Sequence, residues 1–292
     1  MLDPKRIEKF RVTPGKKIRL KDHNPAWQPE GKTAQEEVEK MMAGNLEKLY
    51  EAQGKLYAKD EWSILVVLQA MDAAGKDGLV KHVMSGLNPQ GCTVHSFKAP
   101  SAEEVDHSFL WRCMKVAPAR GHITIFNRSH YEEVLVVKVH PEILGKQKLP
   151  PKLVTKTIWK ERYEDINNFE LHLARNGTKI IKIFLHVSKE EQKRRFLERL
   201  DTPEKNWKFS LGDLTERRFW DDYMRAYDEM LEATSTKHAP WFIIPADQKY
   251  VARAAVAEIL TRTILEVAIG YPTVGPEAKL ALAEARTKLV SE

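Results

Sequence analysis

The 292-residue chain is poor in cysteine, holding only Cys92 and Cys113. Two cysteines cannot build a disulfide framework, and these lack the clustered spacing of a zinc site, so both read as free, packed thiols. The ten histidines form no HExxH or comparable ligand pair, so no structural metal is expected. Long apolar runs are also missing. The best, residues 64–68 and 180–187, fall far below the roughly 20 residues that a membrane-spanning helix needs. The opening residues, MLDPKRIEKFRV, lack the apolar stretch and small-residue cleavage site of a secretion signal. A cytoplasmic location without a membrane partner is the resulting expectation. Neither a low-complexity run nor an internal repeat is visible, which argues against disorder and repeat architectures.

What is present suits an ordinary globular chain. Hydrophobic residues make up 42% of the sequence and aromatics 9%, enough to fill a core. The net charge of +6 and a pI near 9.1 fit an anionic partner: nucleic acid, nucleotide or another phosphate polymer. Charge alone does not choose among them.

After an extended, charged start, residues 34–57 carry Val38, Met41, Met42, Leu46, Leu49 and Tyr50 at helical spacing. Residues 64–68 are apolar at every position, the pattern of a parallel strand covered on both faces. Similar strands are expected at 122–127, 179–187 and 241–246, with a weaker one at 92–97. Helices are expected between them at about 75–87, 102–116, 153–175, 189–200 and 213–233. This alternation predicts an α/β fold with a doubly wound parallel sheet. Residues 201–213, with Pro203 and Gly212, read as a loop joining an αα-hairpin that projects from the sheet. The expected organisation is an N-terminal helical extension over 1–58, a core over 59–270 with a lid at about 193–218, and a helical tail over 271–292.

The sequence LVVLQAMDAAGKDGLVKHV, residues 65–83, runs from strand through small residues into helix. Such a turn lets consecutive backbone N–H groups converge on an anion at a helix N-terminus. Ala73, Ala74 and Gly75 supply the tight wrap, and Lys76 adds a mobile positive charge. The usual phosphate loop starts with Gly and follows its lysine with Ser or Thr; here Ala70 and Asp77 occupy those places. A carboxylate within the loop, Asp72, repels phosphate unless a divalent cation lies between, which suggests magnesium. Asp72 also reads as a helix cap, and the two roles are compatible.

The third strand ends in IFNRSHYEEVLV, residues 125–136, at the carboxyl end where open α/β sheets bind ligands. Arg128 suits a bidentate phosphate contact, and Asn127 stands where many such enzymes carry an acidic metal ligand. A turn residue and a surface charge are the plainer readings of the two. Ser129 lacks a nucleophile elbow. In the hairpin, Arg195 and Arg199 share a helix face, and Lys205, Lys208, Arg217 and Arg218 follow. Residues 193–225 hold nine basic and seven acidic residues, so the hairpin is no basic arm for nucleic acid. It reads as a lid over a polyphosphate or as a solvated charged hairpin.

Seven segments together, QAMDAAGKDG, SGLNPQG, FLWR, FNRSHYEEVLV, IFLHVSKEEQ, NWKFSLGDL and STKHAPWFIIPAD, strongly resemble the polyphosphate kinase 2 family, in the form often called class III. The resemblance runs over about residues 35–270. It implies a P-loop core of thymidylate-kinase-like type with a helical lid, and Mg2+-dependent phosphoryl transfer between inorganic polyphosphate and nucleotides, AMP to ADP and ADP to ATP. It also makes Ala70 and Asp77 ordinary for the class. On this resemblance Asp72, Lys76, Asn127, Arg128 and Glu132 form the catalytic set, with Asp72 on the metal. Phosphate contacts are expected from Ala73, Ala74, Gly75, Lys76, Asp77, Arg112, Arg128, Arg195, Arg199, Lys205 and Lys208. A homo-oligomer, dimer or tetramer, is implied by the family alone. Two competing functions remain at this point: an ATP-dependent nucleoside monophosphate kinase on the same fold, and a polyphosphate or nucleic-acid binding protein without turnover.

Overall fold

The structure is a computed structural model that describes residues 7–31, 34–268 and 270–292. The first six residues of the segment read for a secretion signal lie outside the described residues. Five parallel strands form one sheet: β1 (Ser63–Ala70), β2 (Cys92–Ser96), β3 (Ile123–Asn127), β4 (Thr178–His186) and β5 (Trp241–Pro245). Their spatial order is β2-β3-β1-β4-β5. β1 therefore sits between β3 and β4, and the connections leaving those carboxyl ends turn to opposite sides. That arrangement opens a crevice above the end of β1.

Every residue of β1 is buried, as its unbroken apolar run demands for a strand with helices on both faces. The longer helices are α1 (Ala34–Lys59), α2 (Lys76–Val83), α3 (Ile158–Arg175), α4 (Lys189–Asp201), α5 (Leu211–Glu216), α6 (Trp220–Thr234), α7 (Lys249–Val267) and α8 (Pro276–Val290). α1 packs against α7. The segment before α1 is not peripheral: Ile7, Val12, Ile18 and Leu20 join the main core. Val12 N donates to Trp241 O at 2.8 Å and Ile243 N to Phe10 O at 2.8 Å, so this segment pairs antiparallel with β5 and covers that edge.

Three differences from the expected elements have local causes. The helix expected over 102–116 is two short ones, Ala102–Val105 and Trp111–Met114. Ser101 and Glu104 form a capping box for the first, and the polar Asp106, His107 and Ser108 separate it from the second. The helix expected from 153 starts at Ile158, because Pro150 and Pro151 hold a 3-10 turn and the Thr155 hydroxyl accepts from Thr157 N. The loop expected over 201–213 contains a 3-10 turn, Pro203–Lys208, and α5 starts within it, capped by Ser210.

α8 has no buried residue. Among the described residues, no helix is long and apolar enough to cross a membrane. Cys92 and Cys113 are free, and burial pushes both thiols up to about 12, which makes them poor nucleophiles.

Candidate active site

The loop between β1 and α2 is built on unusual backbone. Ala73 has φ +60° and Gly75 has φ +106°, so the chain reverses into the left-handed region twice before the helix starts. Gly75 is the N-cap, and a Cβ there would also stand 3.6 Å from Arg195 Nη1. Asp72 therefore does not cap α2. The N–H groups of Lys76, Asp77 and Gly78 form the first turn of α2, have no intrahelical acceptor, and face the crevice with the positive end of the helix dipole. Lys76 folds back beneath the loop, its Nζ donating to Ala70 O at 2.8 Å and more weakly to Met71 O at 3.4 Å. Burial of the ammonium, reinforced by Arg128, lowers its pKa to about 8 against the opposing pull of Asp72 and Glu132.

The loop is fastened from behind by α4. Arg195 is buried and uses all five donors: Nε to Glu191, Nη1 to Ala73 O and Ala74 O, Nη2 to Ala246 O and Asp247 O. No donor remains for phosphate, which corrects the expectation that Arg195 is a phosphate ligand. Its planar fork instead ties the loop to the end of β5. Gln192, also buried, donates to Asp72 O at 2.9 Å and accepts from Arg217 Nη1 at 2.7 Å, linking the loop to the far root of the lid.

At the end of β3, Arg128 lies at φ +62°, anchored by its N–H to Leu68 O at 3.1 Å. Ala73 and Arg128 are two of only three non-glycine residues with positive φ among those described. Backbone strain of on the order of 1 kcal/mol each is thus stored at this site. Arg128 Nη2 donates to Asp72 Oδ1 at 2.6 Å and Nη1 to Glu132 Oε2 at 3.1 Å. The Glu132 carboxylate, opposed by desolvation and joined by Asp72, raises the pKa of Arg128, so it is a fixed cation. Asn127 Nδ2 donates to Asp77 Oδ1 at 2.9 Å, so the residue in place of the usual hydroxyl orients the end of β3.

Beneath this segment lies a buried polar network absent from the sequence expectations. Gln69 Nε2 donates to Ser129 Oγ at 3.0 Å. Lys182 on β4 donates to Glu170 at 2.6 Å, to Tyr131 Oη at 2.8 Å and to Thr234 O at 2.6 Å, and Tyr131 Oη donates to Glu170 at 2.7 Å. Burial alone would raise the Glu170 carboxyl, but the Lys182 ammonium and His130 outweigh it and hold it below its ordinary value. All five side chains are buried, so the turn carrying Arg128 is clamped to α3 and α6.

The crevice is a cleft of about 710 Å³ lined by nine cationic side chains and four carboxylates, a balance that selects a polyanion. Lys76, Arg128, Arg199, Lys205 and Lys208 meet there, with Asp72, Asp77 and Asn127. Lys98, Lys249 and Arg253 also line it and were not anticipated. Trp207, 76% exposed, stands in the lid wall with the Lys208 ammonium over its ring. Glu132 reaches the site through Arg128. Arg112 does not line the cleft: it donates to Lys98 O at 2.8 Å and lines an adjoining hollow of about 360 Å³ that shares Ser96 and Phe97 with the cleft.

For a divalent cation, the donors are few but suitable. Asp72 Oδ1 is held by Arg128, and Oδ2 has no protein hydrogen bond among the described residues. Burial, then the Asp72 charge, raises the carboxyl of Asp213 across the cleft, so two acids face one space there. Among the described residues no group of three His, Cys, Asp or Glu forms a complete cage. One or two carboxylates completed by phosphate oxygens and water is the set that magnesium takes.

A five-stranded parallel sheet in this order, with a phosphate loop after its central strand and a cationic lid, defines a P-loop protein of the nucleotide-kinase type. The family model described as polyphosphate kinase 2 matches residues 32–269, and the chain belongs to that family. It is 46% identical over 286 residues to the ADP-polyphosphate phosphotransferase of Rhodopseudomonas palustris, covering 98% of this chain and 99% of that one. It is 44% identical over 270 residues to the AMP/ADP-polyphosphate phosphotransferase of Meiothermus ruber, covering 91% and 96%. The crystal structure of polyphosphate kinase 2 from Arthrobacter aurescens superposes with a TM-score of 0.85 at 39% identity, covering 95% of this chain and 96% of that one.

Proposed function

We propose that this protein catalyses reversible, Mg2+-dependent phosphoryl transfer from inorganic polyphosphate to nucleoside mono- and diphosphates, making ADP from AMP and ATP from ADP. The observation that carries this reading is the convergence of the loop N–H groups, Lys76, Arg128 and the lid cations on one cleft around the single loop carboxylate Asp72. The relative named for both AMP and ADP supports the two-step, class III reading, and the one named for ADP supports the second step.

The chemistry requires positioning and charge neutralisation rather than proton abstraction. A nonbridging oxygen of the acceptor's terminal phosphate is already ionised at neutral pH. It forms a bond to the terminal phosphorus of the chain while the bridging P–O bond breaks, and the electron pair leaves on the shortened polyphosphate. The N–H groups of Ala73 and of residues 75–78, with Lys76, cradle phosphate, while the Ala74 N–H closes the loop's own turn on Met71 O. Arg128 neutralises the transferring group, with Asp72 and Glu132 holding its guanidinium in place. Arg199, Lys205 and Lys208 close over the anion from the lid and exclude water. Asp77 and Asn127 brace one another at the acceptor side, and Arg112 serves the adjoining hollow. Magnesium, held by Asp72 together with phosphate oxygens and water, would supply further charge neutralisation on the phosphates. Removing one preorganised cation from such a site costs roughly 3–4 kcal/mol of barrier. The same reading puts the enzyme in the cytoplasm, with its nucleotide acceptors, and makes it a homo-oligomer by family resemblance.

The test is AMP with long-chain polyphosphate and Mg2+, without ATP, comparing the intact protein with Asp72→Asn and Lys76→Ala. ADP followed by ATP, lost in both variants, is expected. ADP alone would overturn the assignment of both steps. Turnover only on adding ATP would replace this reading with an ATP-dependent monophosphate kinase, and binding without any product with a binding protein.

A further inference from the structure

Between residues 138 and 160 the chain carries six lysines and one glutamate, a strongly one-sided charge run. Lys138 is paired with Glu229, Lys148 with Asp106 and Lys160 with Glu164. Lys146, Lys152 and Lys156 are exposed and make no ion pair among the described residues. The segment is not loose. Val137, Leu144 and Ile158 form a small buried cluster, packed with Leu149 and Trp159, that anchors both ends of the segment, while residues 151–157 between them are exposed and display Lys152 and Lys156 to solvent.

Two contacts link this segment to elements that border the cleft. Gln147 donates to Glu133 at 2.6 Å, next to the Glu132 that holds Arg128. Asp106, the partner of Lys148, caps the short helix whose Glu103 and Glu104 line the hollow containing Arg112 and Lys115. That hollow shares Ser96 and Phe97 with the cleft.

We infer that the Lys146–Lys152–Lys156 surface is an exosite for the distal part of the polyphosphate chain, an inference that rests on polyphosphate being the donor. A cleft of about 710 Å³ encloses only the reacting end of a long polymer, and every further unit carries a negative charge across the protein surface. Lysine ammonium groups act as point charges on mobile stems, and suit a chain that must slide through as it shortens. Residues 141–157 contain no aromatic side chain, so nothing there stacks a base, as single-stranded nucleic acid recognition requires.

The experiment replaces Lys146→Gln, Lys152→Gln and Lys156→Gln together, leaving Lys148 in its pair, with circular dichroism to check folding. Turnover of ADP is measured with long-chain polyphosphate and with tetrapolyphosphate, and long-chain binding is measured separately without nucleotide. Expected are a rise of about tenfold in KM and Kd for the long chain, and a log–log salt slope shallower by about 2, from roughly 0.7 per lost contact. kcat, and all kinetics with tetrapolyphosphate, stay unchanged. Equal losses for both chain lengths, or no change for either, would overturn the exosite. So would a single-stranded RNA that competes as well as long-chain polyphosphate and depends equally on the three lysines, since the surface would then be a general polyanion patch. If the intact protein turns over neither chain, the donor assignment itself fails, and the nucleotide-free binding arm still decides whether these lysines hold polyphosphate.

Discussion

Arg195→Met separates a support for the phosphate loop from a contact with the substrate. The native guanidinium satisfies four backbone carbonyls and Glu191. Glu191 retains Arg194 after the substitution, so the loss falls on Ala73 O, Ala74 O, Ala246 O and Asp247 O. Hydrogen bonds to a charged group contribute about 1.5–3 kcal/mol each. The four are not additive, because the loop borders an open cleft and water reaches some of the freed carbonyls. The expected cost is about 3–5 kcal/mol, the range for removing one partner of a buried charged set. For a chain of this size that lowers Tm by roughly 10 °C. Urea unfolding followed by tryptophan fluorescence measures it, and initial rates with saturating and limiting polyphosphate run alongside. Stability should fall, with kcat falling because the loop loses its geometry, and Arg195→Lys should recover only part of both. A variant of native stability with only a raised polyphosphate KM would refute the reasoning and return Arg195 to the substrate.

Two further outcomes test the interior and the electrostatics. Lys76 titrates near 8 in the free protein, chiefly through burial, and a bound polyanion raises it again. Polyphosphate affinity in magnesium-free buffer is therefore full below that value and weakens as pH rises through it, with proton uptake on binding near pH 8; calorimetry in two buffers of different ionisation enthalpy reads the uptake, and none, or one that persists in Lys76→Met, contradicts the assignment. Lys182→Met strands the buried Glu170 carboxylate and should cost about 3–5 kcal/mol, while the Lys182→Met/Glu170→Gln pair should recover much of it. Urea denaturation completes that double-mutant cycle, and strict additivity would mean the two groups are not coupled.

Much of the frame was legible in order along the chain. The apolar runs marked β1, β4 and β5, the small residues before Lys76 marked the loop, and Ser101, Ser188 and Ser210 cap helices as their side chains allow. The role of Arg195 is not legible in the sequence for an identifiable reason: α4 is so highly charged that its buried face is not readable from periodicity. Phe196 and Arg195 are buried while Leu197 and Leu200 are exposed. Nothing local marks Lys98, Lys249 and Arg253, because each looks like an ordinary surface cation in its own segment. Arg112 was placed with the phosphate contacts by family likeness, and only the packing of its guanidinium over Phe97 puts it in the adjoining hollow.

The sequence by itself determined the elements and the local chemistry: strand, small-residue turn, lysine and helix N-terminus are contiguous, and short-range sterics and hydrogen bonding fix them. Only the tertiary structure decided which charges meet. Asp72 and Arg128 are 56 positions apart, and Gln192 lies 120 from Asp72. Their approach depends on the strand order that sets β3 and β4 on either side of β1. Whether a guanidinium binds a substrate or four carbonyls depends on how many acceptors its fold brings within reach, and that is a property of packing rather than of any local run of residues.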